Sequence, residues 1–413
     1  MLKSYRHTKA ACYTGYVTQA IVNNLAPLLF LIFRNLLGIS LAEVTVLVTV
    51  NFSAQLIVDC AFAKLADKIG YRTCLVGAHF FAAAGLLGMA FLPKIMPDKF
   101  AALLVSIIIS AIGSGLIEVL ISPTVEACPA KNKTAQMSLL HSYYCWGAAA
   151  VISLTTLFLF ACGEQLWWVI PIVWAALPLV NAVYFLFVPI PTLAEEGRGM
   201  PMKRLFATKR FWILFALMML GGAAELAMSQ WASLFAENGL GVSKAVGDLT
   251  GPCLFALLMG LARLLFSRIG KHLRLFLALS GALCAGCYLI VWLVPVQAVA
   301  LAGCALCGFS TGIFWPGVFS LATQQIPKGG TSMFAMLSRA GDIGCTAGPS
   351  IVGACADAFG GDVRTGLAFG LMFPVLFLLM LLCTLKTKKP ALMQEAPQEP
   401  CQESMPDQEE KSV

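Results

Sequence analysis

Charge is what this chain has least of. Asp, Glu, Lys and Arg together make up 12% of its 413 residues, and there are only four histidines. Soluble domains carry about 25% charged residues, so a water-soluble globule is excluded. Also lacking is the phosphate-cradling pattern Gly-x-x-x-x-Gly-Lys-[Ser/Thr], which removes ATP as a direct energy source. No His/Glu metal spacing and no nucleophile with a partner base stand out, so neither an enzyme nor a bound metal or cofactor is expected. The excess charge of +7 is spread over short segments between apolar runs, which makes it a topology signal and not the footprint of a nucleic-acid partner.

What fills the chain instead is apolar: 59% of residues are hydrophobic and the mean hydropathy is +0.82. A bilayer-spanning helix needs roughly 20 such residues. Runs of that length centre near Leu25, Val50, Leu86, Ile112, Val151, Leu177, Leu220, Ala256, Ala285, Phe309, Gly348 and Val375. Lipid offers backbone groups no partner, so each run must close its own hydrogen bonds as a helix. The expected fold is an all-α membrane protein with twelve transmembrane helices. Lys64, Lys68, Arg72, Lys203, Arg204 and Arg268 fall with most basic residues on one side, while Arg34, Lys94, Lys99, Lys244 and Arg364 fall on the other. The positive-inside rule makes the first side, with both termini, cytoplasmic. The first run begins near Cys12 without a small-residue cleavage site, so no cleavable signal peptide is expected.

Cysteine is plentiful, at 15 residues. Cys284-x-x-Cys287 and Cys304-x-x-Cys307 have zinc-ribbon spacing, yet both pairs sit inside apolar runs that supply no turn at the ligands. They read as small packing residues.

A polar stretch divides the runs into two sets of six. The expected layout is an N-terminal bundle over 1–188, a cytoplasmic linker over 189–210, a C-terminal bundle over 211–385 and a disordered tail over 386–413. The halves look duplicated. Leu65, Lys68, Ile69 and Gly70 recur in order as Leu265, Arg268, Ile269 and Gly270. Gly115 and Gly312, and likewise Gly147 and Gly344, are separated by the same 197 positions.

The first of those charged turns, Ala63-Lys64-Leu65-Ala66-Asp67-Lys68-Ile69-Gly70-Tyr71-Arg72, resembles the loop signature of the major facilitator superfamily, departing from it at Ala63 and Tyr71. That resemblance implies two six-helix bundles and a secondary transporter. Glu118-x-x-x-Ser122-Pro123 is similar to the Glu-x-x-x-Asn-Pro signature of the fucose-permease-like sugar:proton symporters. Glu225 to Trp231, Phe314 to Leu321 and Gly344-x-x-x-Gly348-Pro349 look like other segments of that group. The first run departs from it, offering Gln19, Asn23, Asn24 and Pro27 but no acid.

Ionisable groups inside a span are costly and usually face a cavity or a partner. Glu118 is the expected proton carrier, with Glu225 next. Gln19 and Asn23, four apart, share a helix face, where amides can read sugar-like hydroxyls; with Asn24 they are candidate substrate contacts. His141, Tyr144 and Cys145 make another such face, and His141 and Tyr144 join the candidates. Gln230, Trp231 and Trp315 complete the set, the indoles being suited to stack on a ring. Asp67, Lys68, Gly70 and Arg72 are read as a gate. Arg339 and Asp342, three apart, are expected to pair with each other. His79, Asp59, Glu126 and Arg263 are read as structural or gate-linked. The reading is a monomeric transporter in the plasma membrane, the inner membrane of a bacterium, whose partners are a small-molecule substrate and the lipid bilayer. It would import a sugar-like solute with a proton, the proton gradient replacing any cofactor. An exporter of amphipathic compounds is the alternative, followed by a ligand-binding sensor.

Overall fold

The computed structural model describes residues 4–129, 133–191, 200, 202–266, 273–326 and 329–385. The expected tail, part of the expected linker and the second charged turn from Ser267 to His272 lie outside the described residues. Helices run through almost everything else. The first six spans are α1 (Tyr5–Leu37), α2 (Leu41–Ile69), α3 (Tyr71–Ile95), α4 (Lys99–Ala127), α5 (Lys133–Cys162) and α6 (Val169–Phe187). A short helix α7 (Met202–Phe206) precedes the seventh span, α8 (Lys209–Leu234), which a π-helical turn extends to Gly239. The eighth, Lys244–Phe266, joins α9 (Lys244–Asp248) to α10 (Leu254–Phe266) through a second π-turn holding Pro252. The ninth is α11 (Leu273–Leu293). The tenth joins α12 (Gln297–Thr311) to α13 (Phe314–Gln325), and the eleventh is α14 (Gly330–Ala358). The twelfth joins α15 (Val363–Gly370) to α16 (Met372–Leu385).

Each of the twelve expected centres falls inside one of these spans. Eleven of them are long and apolar enough to cross a membrane. The other, α14, is 29 residues and hence about 43 Å long, but carries Arg339 and Asp342 near its middle. Large side chains such as Ile57, Leu157, Phe160 and Val180 stand exposed on the outside, as lipid allows and water does not. The start of α1 and the end of α16 share one face, the terminal face below; the other is the far face.

Local chemistry sets the ends. At the far face Ser40 caps α2 reciprocally: its Oγ accepts from the Glu43 N–H at 3.2 Å while its own N–H donates to Glu43 Oε2 at 2.7 Å. Lys94 lays its ammonium 3.1 Å from the centre of the Trp168 ring there. On the terminal side Gly70, at φ +98°, makes the turn between α2 and α3 without strain.

The duplication is visible in the packing. A Cβ on Gly115 would strike the backbone of Gln55, in span two, and one on Gly312 the backbone of Met259, in span eight. A Cβ on Gly147 would crowd Val17 in span one, and one on Gly344 would overlap Met219 in span seven. Span four on two thus repeats as ten on eight, and five on one as eleven on seven. Close helix approach through small residues drives association where the hydrophobic effect is absent.

Candidate functional site

The halves are joined most tightly from the far face inward. Thr49 and Ser350 share a hydroxyl bond at 2.6 Å between α2 and α14. Gln230 donates to the Asn23 carbonyl at 3.2 Å, and the rings of Phe30 and Trp231 meet with centroids 6.1 Å apart. Thr156 donates to Asp248 Oδ2 at 2.9 Å, and Ser153 lies 3.2 Å from the Cys253 sulfur. Asp248 is fully buried and balanced by Lys244 at 3.1 Å, which also pairs with Glu237 at 2.9 Å. A small pocket behind this seam, beside Asn23, Asn51 and Gln230, has a volume of about 10 Å³, room for no more than one water.

Near mid-span the joints become ionisable. Glu118 of α4 accepts a hydrogen bond from Gln19 of α1 at 3.0 Å. Its carboxyl also lies close enough to that of Asp342, across the divide in α14, for the two acids to interact, and Asp342 Oδ2 is buried without a hydrogen-bond partner among the described residues. Asp59 of α2 pairs with Arg339 of α14 at 3.6 Å. Asp59 and Arg339 thus sit roughly 27–28 Å along their helices from the far face. Arg339 and Asp342 do not pair with each other, contrary to expectation; each reaches an acid of the first half. Arg263, expected to be structural or gate-linked, points from α10 to Glu225 of α8 at 3.5 Å and to the Cys145 sulfur of α5 at 3.4 Å.

The remaining candidates divide. His141, Tyr144 and Cys145 do share one inward face. His141 is exposed although it stands edge-on to the buried Tyr16, with centroids 5.3 Å apart, so the cleft between the halves admits water to this level from the terminal face. Tyr144 neighbours the Asn23 and Asn24 side chains. Asn23 is committed on another side too, accepting from Gln55 at 2.9 Å, which in turn accepts from Ser114 at 2.8 Å. Trp315 is half-buried, its ring seated against Gly341 of α14. Trp231 faces no cavity: it is wholly buried and its Nε1 donates to the Pro349 carbonyl at 3.0 Å, which makes it a packing residue of α8 on α14. Gln230 belongs to the far-face seam. Sequence reasoning passed over Gln55 and Ser114, which could have been found as polar residues inside spans two and four.

Of the gate residues, the side chain of Asp67 lies outside the described residues. Lys68 is exposed. Arg72 donates from Nη1 to the carbonyls of Phe185 and Leu186 at 2.7 and 2.8 Å, capping the end of α6 within its own half. It therefore secures the first bundle instead of reaching the second. The cysteine pairs lie on facing helices α11 and α12, with Cys284 and Cys307 sulfurs 3.8 Å apart and buried.

Residues 12–341 match the Major Facilitator Superfamily. An uncharacterised MFS-type transporter of Yersinia pestis is 29% identical over 153 residues, which is 36% of this chain and 40% of that protein, so the match spans about two fifths of the relative. The crystal structure of the E. coli fucose:proton symporter superposes with a TM-score of 0.64 at 17% identity, covering 92% of this chain and 99% of that one. The D-xylose-proton symporter superposes with a TM-score of 0.73 at 14% identity, over 92% and 97%. At such identities the likeness is one of fold.

Proposed function

The chain belongs to the Major Facilitator Superfamily, and from that premise we propose that it carries a small polar, sugar-like solute across a bacterial inner membrane in symport with a proton. The terminal face is then the cytoplasm. The observation that carries the reading is a pair of neighbouring buried acids, one from each half: Glu118, held by Gln19 at 3.0 Å, and Asp342, whose Oδ2 is buried without a hydrogen-bond partner among the described residues. An ionised carboxylate only accepts hydrogen bonds, so a bond between these two exists only while one of them holds a proton. Proton occupancy is thereby tied to a contact between the moving bodies. A proton that joins α4 to α14 favours the arrangement in which they meet, and its loss favours their separation.

The solute's place is the water-reached part of the cleft, between Gln19, Tyr144 and His141 on one side and Trp315 on the other. Amides and hydroxyls there both donate and accept, as a polyol requires, and the indole offers a flat apolar wall. Rocking of the halves would open the far-face seam and close the terminal side around the same site. The sugar symporters that share the fold support this choice of solute and ion, and the proton gradient is the only driving partner needed besides the bilayer. The working unit is taken as one chain.

The test uses purified protein in proteoliposomes with a sugar chosen by thermal-shift screening. Glu118→Gln should abolish accumulation driven by a pH gradient while retaining exchange between equal pools. Undiminished accumulation would remove Glu118 as the proton carrier.

A further inference from the structure

The Arg263–Glu225 pair is incompletely satisfied on both sides. Charge-assisted bonds run to about 2.7–2.9 Å, yet Arg263 Nη2 stands 3.5 Å from Glu225 Oε1. Nη1 has a thiol for neighbour, the Cys145 sulfur at 3.4 Å. Arg263 Nε and Glu225 Oε2 are both buried without a hydrogen-bond partner among the described residues. Unpaired charged atoms of this kind are expensive in a low-dielectric interior, and a native structure keeps them where something else completes the set.

What surrounds the guanidinium points to the missing member. Tyr16, Tyr144 and His141 of the first half lie close enough to interact electrostatically with Arg263. The Tyr16 hydroxyl already has a bond with Ser122 Oγ at 2.8 Å, whereas His141 is open to the cleft. A planar guanidinium matches a carboxylate two bonds at a time, and the neighbouring phenols and imidazole suit hydroxyl groups. Accordingly we propose that Arg263 anchors a carboxylate of the transported solute, so that the substrate is a hydroxylated acid of the uronate or aldonate type and not a neutral sugar. This rests on the transporter reading above and narrows it. In the empty protein Glu225 is a loose internal substitute for the solute's carboxylate. An entering acid takes its place on Arg263 and presents its hydroxyls to Tyr144 and His141, so that one ligand spans α10 and α5 and draws the halves together.

The test is binding by the full-length protein in nanodiscs of D-glucuronate, D-gluconate and neutral D-glucose, read as thermal shift and by titration calorimetry against sodium chloride of equal ionic strength. The acids should bind and glucose should not. Arg263→Lys keeps the charge but loses the fork, and should weaken the acids about tenfold or more. Glu225→Gln removes the competing carboxylate and should tighten them. Because the two variants move affinity in opposite directions, a merely structural ion pair, whose loss lowers stability in both, cannot imitate the result. Glucose binding that is equal in wild type and Arg263→Lys overturns the anchor but leaves a sugar transporter standing. Acids that stabilise no more than sodium chloride, or equally in all three proteins, overturn the anchor as well. Absence of flux for every sugar and sugar acid in proteoliposomes overturns the transporter reading itself.

Discussion

Asp59 and Arg339 face each other across the divide at 3.6 Å, and they are the ion pair that joins α2 of one half to α14 of the other. Their side chains retain 13% and 25% exposure, so the pair stands where the closed seam gives way to the water-reached cleft.

Breaking it from one side should leave an uncompensated charge. Removing one partner of a fully buried pair costs about 3–5 kcal/mol; with this much exposure, Asp59→Asn should cost about 1–2 kcal/mol after allowing for screening. Arg339→Gln should cost about the same, and the double variant less than the sum of the two. Thermal unfolding of the four proteins in one detergent measures the coupling. Strict additivity would mean that the contact contributes nothing.

A second expectation concerns Asp342. If a proton bridges it to Glu118, then Asp342→Asn should uncouple uptake from the pH gradient as Glu118→Gln does. The double variant should be no worse than either single one. Proteoliposome accumulation and counterflow, measured side by side, check this; two independent losses would show that the carboxyls work separately.

The far-face seam can be tested by locking it. Thr49 and Ser350 hydroxyls are 2.6 Å apart, so cysteines there are placed for a disulfide once the 15 native cysteines are replaced. Oxidation of Thr49→Cys/Ser350→Cys should stop transport, and reductant should restore it. Full activity in the oxidised protein, with the cross-link verified by mass, would show that this seam need not open.

Glycines give a graded control. Gly344→Ala puts a methyl into the Met219 backbone and should destabilise by about 1–3 kcal/mol. Gly286→Ala meets nothing within 4 Å and should leave stability unchanged or raised. Melting temperatures in detergent compare the two directly.

The spans could be read from the sequence because lipid leaves a long apolar run only one conformation. The partners of charged residues could not. Arg339 and Asp342 are three apart on one helix, which is what an intrahelical pair looks like, and spacing along one helix says nothing of what another element brings alongside. Asp59 and Glu118 come from far upstream and win because they lie on the faces that α14 turns toward the first half. Trp231 fails for a similar reason: a run of apolar residues shows that a side chain points inward, without separating a cavity from a neighbouring helix. His141 was the more legible case, since a polar-aromatic face at i, i+3 and i+4 has few uses on a lipid-facing surface. Arg263 looked peripheral because it lies three residues before the end of α10, yet an arginine is long enough to reach back toward mid-span.

Most bonds that cross between the halves at the far face are made by hydroxyls, amides and rings, and the carboxylate that accepts one of them from Thr156, Asp248, is buried and paired with Lys244 from its own half. Mobile ions screen net charges, and they have little purchase on neutral dipoles packed out of water. Opening of this face should therefore be nearly indifferent to ionic strength. The threshold for opening should stay the same in dilute and in briny surroundings.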